Sequence, residues 1–101
     1  MIRVILWRNN SERTGFRVSG HAGFAPAGQD IVCAAMSAAV RLTERILSEM
    51  KADYTAAIDR EKNVVEIRTR QRSVLEGFAR LAHELSEEYP EYIQVTEVRY
   101  V

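Results

Sequence analysis

The stretch Gly28-Gln29-Asp30-Ile31-Val32-Cys33-Ala34-Ala35-Met36-Ser37 marks the point where the chain changes from strand-forming to helix-forming sequence. Asp30 is a good N-cap residue, because its carboxylate can accept hydrogen bonds from N–H groups two or three residues later. The pattern therefore predicts a helix over residues 31–51. Residues 31–40 carry no charge, so we expect this half of the helix to be buried nearly all round.

Two strands are predicted upstream of this helix. Apolar residues alternate with other residues in 2–8, and the same alternation recurs in 15–20. The polar link 9–14 has the length and composition of a hairpin connection, which favours antiparallel pairing. Ile5 and Trp7 lie on the face opposite the predicted core, so the first strand has a second apolar face that needs cover.

Downstream, a second hairpin and a second helix are predicted. Residues 54–58 and 64–69 have strand patterns and are joined by a charged turn. The run Ser73-Val74-Leu75-Glu76 is a capping-box pattern that opens a helix, and Pro90 ends it. A last strand covers 92–100. Its apolar residues change phase, which indicates a bulge or a frayed edge.

The predicted order of elements is ββαββαβ. Both helices are amphipathic, and in the second half of the first helix the apolar stripe is Leu42, Ile46, Leu47 and Met50. An amphipathic helix buries its apolar side against another layer. The fold class expected is therefore α+β, a two-layer sandwich with two helices packed on an antiparallel or mixed sheet.

The composition limits what kind of protein this is. A chain of 101 residues with 47% hydrophobic content supports one domain, over 1–101. Fourteen basic and fourteen acidic residues cancel, so no direct nucleic-acid binding and no membrane partner are expected. One cysteine and two histidines without a C-x-x-C motif predict no metal and no other cofactor. A cytoplasmic protein is expected, since no apolar run has the length of a signal peptide or a membrane span.

The only cysteine, Cys33, falls at about the third position of the predicted helix. Free N–H groups and the positive end of the helix dipole favour a thiolate there. His21 ends the second predicted strand, so the chain can fold back and bring the imidazole to the sulfur. A cysteine and a histidine are the minimum set for acyl transfer through a thioester. The competing interpretation is that Cys33 only fills the core, as free cysteines often do.

Two neighbouring positions are further candidates. Asp30 either caps the helix only or also orients His21 as the third member of a triad. Ser37 lies one helical turn after Cys33, on the same face. Its hydroxyl is expected to bond the Cys33 thiolate, His21 or only the backbone of its own helix. The other histidine, His83, shares a helical face with charged residues and is expected to be a solvated surface residue without a catalytic role.

The loop 22–29 separates the two candidate catalytic residues. Gly23 and Gly28 give conformational freedom at its two ends, and Phe24 belongs to its apolar middle. We expect the apolar middle of this loop to make few packing contacts when no peptide is bound. We expect the loop to be a lid that orders over a bound peptide with Phe24 against it; a plain connector is the alternative.

Gly20-His21-Ala22 together with Gly28-x-Asp30-Ile31-Val32-Cys33-Ala34-Ala35-x-Ser37 resembles the bacterial ribosomal-processing cysteine proteases of the Prp family. The resemblance extends over the whole chain in length and element order. It implies a homodimeric endopeptidase that removes an N-terminal extension from a large-subunit ribosomal protein. The nucleophile of the family falls on Cys33 and its histidine on His21, with Asp30 and Ser37 around them.

Two other functions stay open at this point. One is a ribosome assembly factor without enzymatic activity, which binds ribosomal protein or rRNA through the sheet face while Cys33 serves in packing. The other is a thiol sensor or an acyl-transfer enzyme for a small molecule. Alkylation of the native protein tests for the assembly factor, because a packed cysteine resists the reagent. An acyl-transfer enzyme for a small molecule would give product with a small acyl donor and none with a peptide.

Overall fold

A computed structural model of the chain describes residues 1–26 and 28–100, with the backbone alone at Tyr100. The predicted order ββαββαβ and the α+β class are confirmed. The elements are β1 (Ile2–Asn9), β2 (Glu12–Ser19), α1 (Ile31–Glu49), β3 (Tyr54–Asp59), β4 (Val64–Thr69), α2 (Arg72–Glu88) and β5 (Ile93–Tyr100). None of the helices in the described part of the chain is long and apolar enough to cross a membrane.

The five strands form one mixed sheet in the order β3-β4-β2-β1-β5. Both predicted hairpins are antiparallel pairs, and β2 pairs with β4 in the same sense. The last strand runs parallel to β1 with Ile93 beside Ile2. Because β2 runs antiparallel to β1, with Ser19 beside Arg3, the residues that follow β2 emerge close to the N-terminus of the chain.

Both helices pack on one face of this sheet, and the core lies between the two layers. Phe16 of β2 and Phe78 of α2 stack with ring centroids 3.7 Å apart. Alternating residues of β1 point into the same layer, as the period of two predicts. The largest fully buried side chains are Phe16, Leu6, Leu47, Ile67, Leu75, Val4 and Val32.

Two expectations about the helices are wrong. The first half of α1 is not buried all round: Ile31 is 57% exposed, and Ala34, Ser37 and Ala38 are exposed as well. Three of these side chains are small, so leaving them in solvent forfeits little apolar burial. The capping box does not form either. The N-cap of α2 is Gln71, two residues before Ser73, and its side chain makes no capping hydrogen bond.

The stripe predicted for the second half of α1 is buried in part. Leu47 is fully buried, whereas Leu42 is 60% and Met50 51% exposed. The reason is that α1 and α2 lie side by side on the sheet with a groove between them, so the edge of α1 that faces α2 is left uncovered at Leu42. Ile46 of the same edge is also exposed, and it lines an apolar groove with Leu81 of α2.

Neither the bulge nor the fraying expected in β5 is present, since β5 pairs with β1 in unbroken register from Ile93 to Tyr100. The register shift lies instead between Trp7 and Arg8 of β1, opposite β2. The apolar phase of β5 changes for another reason. Glu97 lies beside Leu6 and faces the helix layer, where arginines from β1 and β2 meet its carboxylate.

The second apolar face of β1 is covered within the chain at Trp7, which is only 7% exposed. The guanidinium of Arg68 lies 4.0 Å from the centroid of the indole ring, a cation–π arrangement. Gly15 lies between them in the strand register, beside both Trp7 and Arg68. Trp7 therefore gives no argument for a partner protein on this face.

A cluster of charged side chains joins β5 to α2 and to the first hairpin. Arg13 holds the Glu97 carboxylate through two N–H groups at 2.7 and 3.2 Å and donates to Glu76 at 2.8 Å. Arg8 and His83 also contact Glu97, at 3.3 and 3.0 Å. The hydrogen bond from Arg13 is the main reason why the pKa of Glu97 falls to about 2. His83 thus contacts a charged cluster while its side chain stays 44% exposed, in agreement with the surface position predicted for it.

We predict that Glu97→Gln removes a contribution to stability that depends on pH. The folded chain lowers the pKa of Glu97 from 4.5 to about 2, so this contribution is present above pH 4.5 and is lost as the pH falls towards 2. Urea unfolding of the wild type and the variant should give a difference in midpoint at pH 7 that shrinks below about pH 4.5. Glu91→Gln, at an exposed carboxylate outside the cluster, is the control. A difference that stays constant down to pH 3 contradicts the prediction.

Candidate active site

The chain leaves β2 at a corner that only glycine can form. Gly20 has φ +89°, and a Cβ atom there would overlap the carbonyl oxygen of Met1. Side chains other than glycine rarely adopt this conformation. The corner turns the chain out of the sheet and places His21 at the edge of the helix layer, with its side chain exposed.

Asp30 is the N-cap of α1, as the sequence predicts. Its Oδ1 accepts hydrogen bonds from the N–H groups of Val32 at 3.0 Å and Cys33 at 2.9 Å, and its Oδ2 accepts one from Phe24 at 3.1 Å. These bonds lower the pKa of the Asp30 carboxyl, the Cys33 N–H having the largest effect. No hydrogen bond joins Asp30 to His21, so the carboxylate fixes the start of the helix and does not touch the imidazole.

Cys33 is the third residue of α1 and is half-buried at the margin of the core. Its Sγ accepts a hydrogen bond from the backbone N–H of Ala22 at 3.2 Å. The residue that follows His21 therefore touches the sulfur directly. The fold brings the two candidate catalytic segments together through a backbone contact, and contact of the imidazole with the sulfur stays a prediction.

The two side chains line one cavity of about 490 Å³ between the β2 corner, α1 and the β3–β4 turn. They are not hydrogen bonded to each other: the ring of His21 contacts Asn63, with 3.4 Å between Nδ1 and Nδ2. Ser37 lines the same cavity and bonds neither of them. The cavity is thus a common space from which a bound group could reach both the sulfur and the imidazole.

The walls of the cavity are apolar and its mouth is charged. Valines from β2, α1 and β4 form the inner wall together with Ile58 of β3. Arg41 of α1, Asp59 at the end of β3 and Arg60 of the following turn lie at the mouth. An extended peptide with apolar side chains suits such a cleft, since a few polar groups around an apolar floor are typical of ligand sites.

Asn63 is the site residue that sequence analysis missed. It belongs to the β3–β4 turn and adopts φ +54°, a conformation in which asparagine is enriched. The charged turn between two strand patterns predicts a residue of this kind. Nothing in the sequence places that turn beside His21, because the contact depends on the pairing of β4 with β2.

The loop before α1 is better anchored than expected. The ring of Phe24 makes edge-to-face contacts with Tyr92 at 5.2 Å and Tyr89 at 6.1 Å, so the expectation that its apolar middle lacks packing partners is wrong for this residue. Gly23 and Gly28 have φ of +70° and +85°. Glycine adopts such positive φ values readily, which explains its presence at both ends of the loop. The role of the loop as a lid stays a prediction.

A sequence model described as cysteine protease Prp matches residues 1–94. The chain belongs to the Prp family of cysteine proteases. It is accordingly an enzyme of the peptide-hydrolase type. No protein with a curated description matches it.

Solved structures agree with this family in their fold. An essential ribosomal processing protease Prp from S. aureus, in complex with a covalently linked product peptide, superposes with a TM-score of 0.89 at 23% identity, covering 97% of this chain and all of the other. A second crystal structure of the S. aureus protease, with a substrate peptide, has a TM-score of 0.83 at 22% identity, again over 97% of this chain and 100% of that one. A Streptococcus mutans protein reaches 0.86 at 22% identity, over 99% of this chain and 96% of its own. At such identities the likeness establishes the fold.

We predict that the helix cap at residue 30 depends on an oxygen acceptor rather than on a full carboxylate. Asp30→Ala should lower the melting temperature by about 4–8 °C, the typical consequence of losing a cap in a chain of this size. Asp30→Ser should restore most of that loss, because a hydroxyl can still accept from the N–H groups of Val32 and Cys33. Thermal unfolding followed by circular dichroism measures both variants. Equal losses in the two variants would show that the bond to Phe24, and not the cap, provides the stability.

Proposed function

We propose that this protein is an endopeptidase that removes an N-terminal extension from a large-subunit ribosomal protein, with Cys33 as nucleophile and His21 as general base and acid. The observation that carries the proposal is that the only cysteine of a Prp-family chain shares one cavity with His21. A cysteine protease needs a thiol, and this chain offers one. The ribosomal substrate rests on the S. aureus relative, which is a ribosomal processing protease.

The proposed reaction has two halves. His21 accepts the proton of the Cys33 thiol, and the sulfur attacks the scissile carbonyl carbon. The C–N bond then breaks as His21 returns the proton to the leaving amine, which leaves a thioester on Cys33. Water, deprotonated by His21, attacks this thioester and releases the carboxylate product and the free thiol. Acid–base transfer of this kind requires His21 to reach Sγ once the peptide is bound.

Stabilisation of the oxyanion at the start of α1 is restricted by the cap. The N–H groups of Val32 and Cys33 are already bonded to Asp30. The Ala22 N–H is bonded to Sγ itself, at 3.2 Å, and it can pass from the sulfur to the oxyanion because the carbon that carries this oxygen becomes bonded to the same sulfur. We therefore assign Ala22 N–H to the oxyanion.

Four further residues surround the peptide in this proposal. Ser37 lines the cavity one turn after Cys33 and offers its hydroxyl to the peptide or the imidazole. Gly23 and Phe24 belong to the substrate loop, together with Gly28. A processing enzyme for ribosomal proteins would work in the cytoplasm, and neither a cofactor nor a nucleic-acid partner enters the reaction.

We predict that Cys33→Ser keeps the fold and lowers kcat/KM by at least about 1,000-fold, because a hydroxyl is a far weaker nucleophile than a thiolate at neutral pH. His21→Ala should lose a comparable factor. His83→Ala is the matched control: this second histidine sits on α2 against Glu97, and its variant should cleave at the wild-type rate.

The measurement is mass spectrometry of the extended ribosomal protein from the same genome after incubation with each variant. Loss of the circular-dichroism spectrum in Cys33→Ser would indicate a packing role. A wild-type protein that binds the ribosomal protein without cleaving it would support an assembly factor. Turnover of a small acyl donor but no peptide would support the third function considered from the sequence.

We also propose that the protein forms a homodimer, as the family resemblance implies. The apolar groove between α1 and α2 is the surface for the second copy, because Leu42 is 60%, Leu81 40% and Ile46 39% exposed around a cavity of about 370 Å³. Isolated chains rarely leave such a contiguous patch uncovered. Each helix carries an exposed arginine four residues before an exposed glutamate, Arg45-Glu49 and Arg80-Glu84. This pattern of charges can complement itself across a two-fold axis.

We predict that Leu42→Glu converts the dimer into a monomer of about half the mass in light scattering at micromolar concentration, since a buried unpaired carboxylate is costly in an interface. Ile58→Glu, at a similarly exposed residue (55%) of β3 away from the groove, should leave the dimer intact. A wild-type mass near 11.5 kDa would contradict the dimer itself.

A further inference from the structure

The sheet has two edge strands, β3 and β5. Within the described part of the chain, β3 pairs with β4 alone, and its residues from Thr55 to Asp59 are exposed. An edge strand presents a row of N–H and C=O groups that another extended chain can bind. The outer edge of β3 is therefore open to a further strand.

The two edges differ in how they are protected. β5 carries the charged residues Glu97 and Arg99 and packs against α2. Residues 54–58 of β3 include no charge and no proline, and β3 pairs with β4 without a bulge. Charged side chains, prolines and bulges are the usual devices against unwanted strand pairing. Because β3 has none of them along 54–58, its edge is suited to accept a strand.

The same strand leads into the candidate active site. Ile58 and Asp59 line the cavity described above, and Arg60 follows them at its mouth. Ile58 and Ala56 lie on the helix side of the sheet, where Ala56 is beside the buried Ile67. Neither is covered, since Ala56 is exposed and Ile58 is 55% exposed. The apolar side chains of an added strand would therefore meet apolar surface next to the cleft.

We propose that the outer edge of β3 binds an extended segment of the peptide substrate as a sixth strand of the sheet. The proposal rests on the function proposed above, because this segment belongs to the polypeptide that is cut at Cys33. The substrate is the occupant that the position of β3 favours, since a peptide lying in the cleft passes the end of this strand. Main-chain hydrogen bonds to β3 would hold the peptide with few demands on its side chains.

The register of the sheet sets how far the paired segment lies from the scissile bond. Ser19 of β2, Val64 of β4 and Asp59 of β3 form one row across the sheet. Strands lie about 4.8 Å apart, so a strand added beyond β3 is about 14 Å from β2, the strand that leads to His21. An extended chain covers about 3.3 Å per residue. About four residues are therefore needed between the bond held at Cys33 and the first residue paired with β3.

Amide hydrogen exchange tests the pairing directly. The Cys33→Ser protein would hold, uncleaved, a synthetic peptide that spans the N-terminal extension and the first residues of the mature ribosomal protein. Alternate amides of an edge strand face outward, and NMR follows each of them. With saturating peptide, the outward amides of β3 should exchange at least about 10-fold more slowly than without it. The outward amides of β5, the other edge, should be unaffected and serve as the internal control.

Peptides with single N-methyl groups test the same pairing from the side of the substrate. Each peptide lacks one N–H group and is cleaved by the wild-type protein. We expect kcat/KM to fall by about 3–10-fold at every second position, beginning about four residues from the scissile bond. The positions between them should be close to the unmodified peptide, because their N–H groups point away from β3.

Two proline variants of β3 form a matched pair. Of the N–H groups of Ala56 and Ala57, one bonds β4 and the other faces outward. Proline removes either of them. The variant that keeps the wild-type melting temperature has lost only the outward group, and it should raise KM at least about 3-fold with kcat within about twofold. The variant with the lower melting temperature identifies the N–H group that belongs to the ladder.

Three results would each overturn the proposal: unchanged exchange in β3 with saturating peptide, N-methyl effects without the period of two, or a wild-type KM in the stable proline variant. Slow exchange of the outward β3 amides without peptide that becomes faster on dilution would also do so, because a second copy then occupies this edge. If the wild type cleaves no peptide, the proposed function fails, whereas exchange in the Cys33→Ser protein still decides whether the peptide pairs with β3.

Discussion

The carboxylate of Asp30 is the interaction on which the geometry of the site depends. One of its oxygens takes the N–H groups of Val32 and Cys33, and the other takes the N–H of Phe24. A single side chain thus sets where α1 begins, and with it the height of Cys33 above the sheet. The same carboxylate binds the N–H of Phe24, so it also links the preceding loop to the start of α1.

The opposite side of the cleft is built from the sheet. Gly20 must be glycine because Met1 lies against it, and Asn63 binds Gly20 through both its backbone and its side chain. The histidine is therefore placed by pairing between β2 and β4, whereas the cysteine is placed by a helix cap. The cleft lies where these two parts meet. Because each part is fixed separately, the side chains of Cys33 and His21 need not be hydrogen bonded to each other when no peptide is bound.

Much of this arrangement could be predicted from local sequence. Alternation in 2–8, the cap at Asp30 and the hairpin turns are short-range signals, and each corresponds to an element of the structure. The features that could not be predicted are those settled between distant segments. Glu97 changes the phase of β5 because Arg13 lies across from it, and Asn63 reaches His21 because β4 pairs with β2. Periodicity contains no information about such partners.

The position of Trp7 has an optical consequence. It is the only tryptophan of the chain, and it lies beneath Arg68 on the face of the sheet that the helices do not cover. The cleft opens on the helix side, with the thickness of the sheet between. Indole fluorescence therefore reports whether the central strands remain paired and is indifferent to whether the cleft is filled. The protein carries its own reporter of folding, optically separate from its site of reaction.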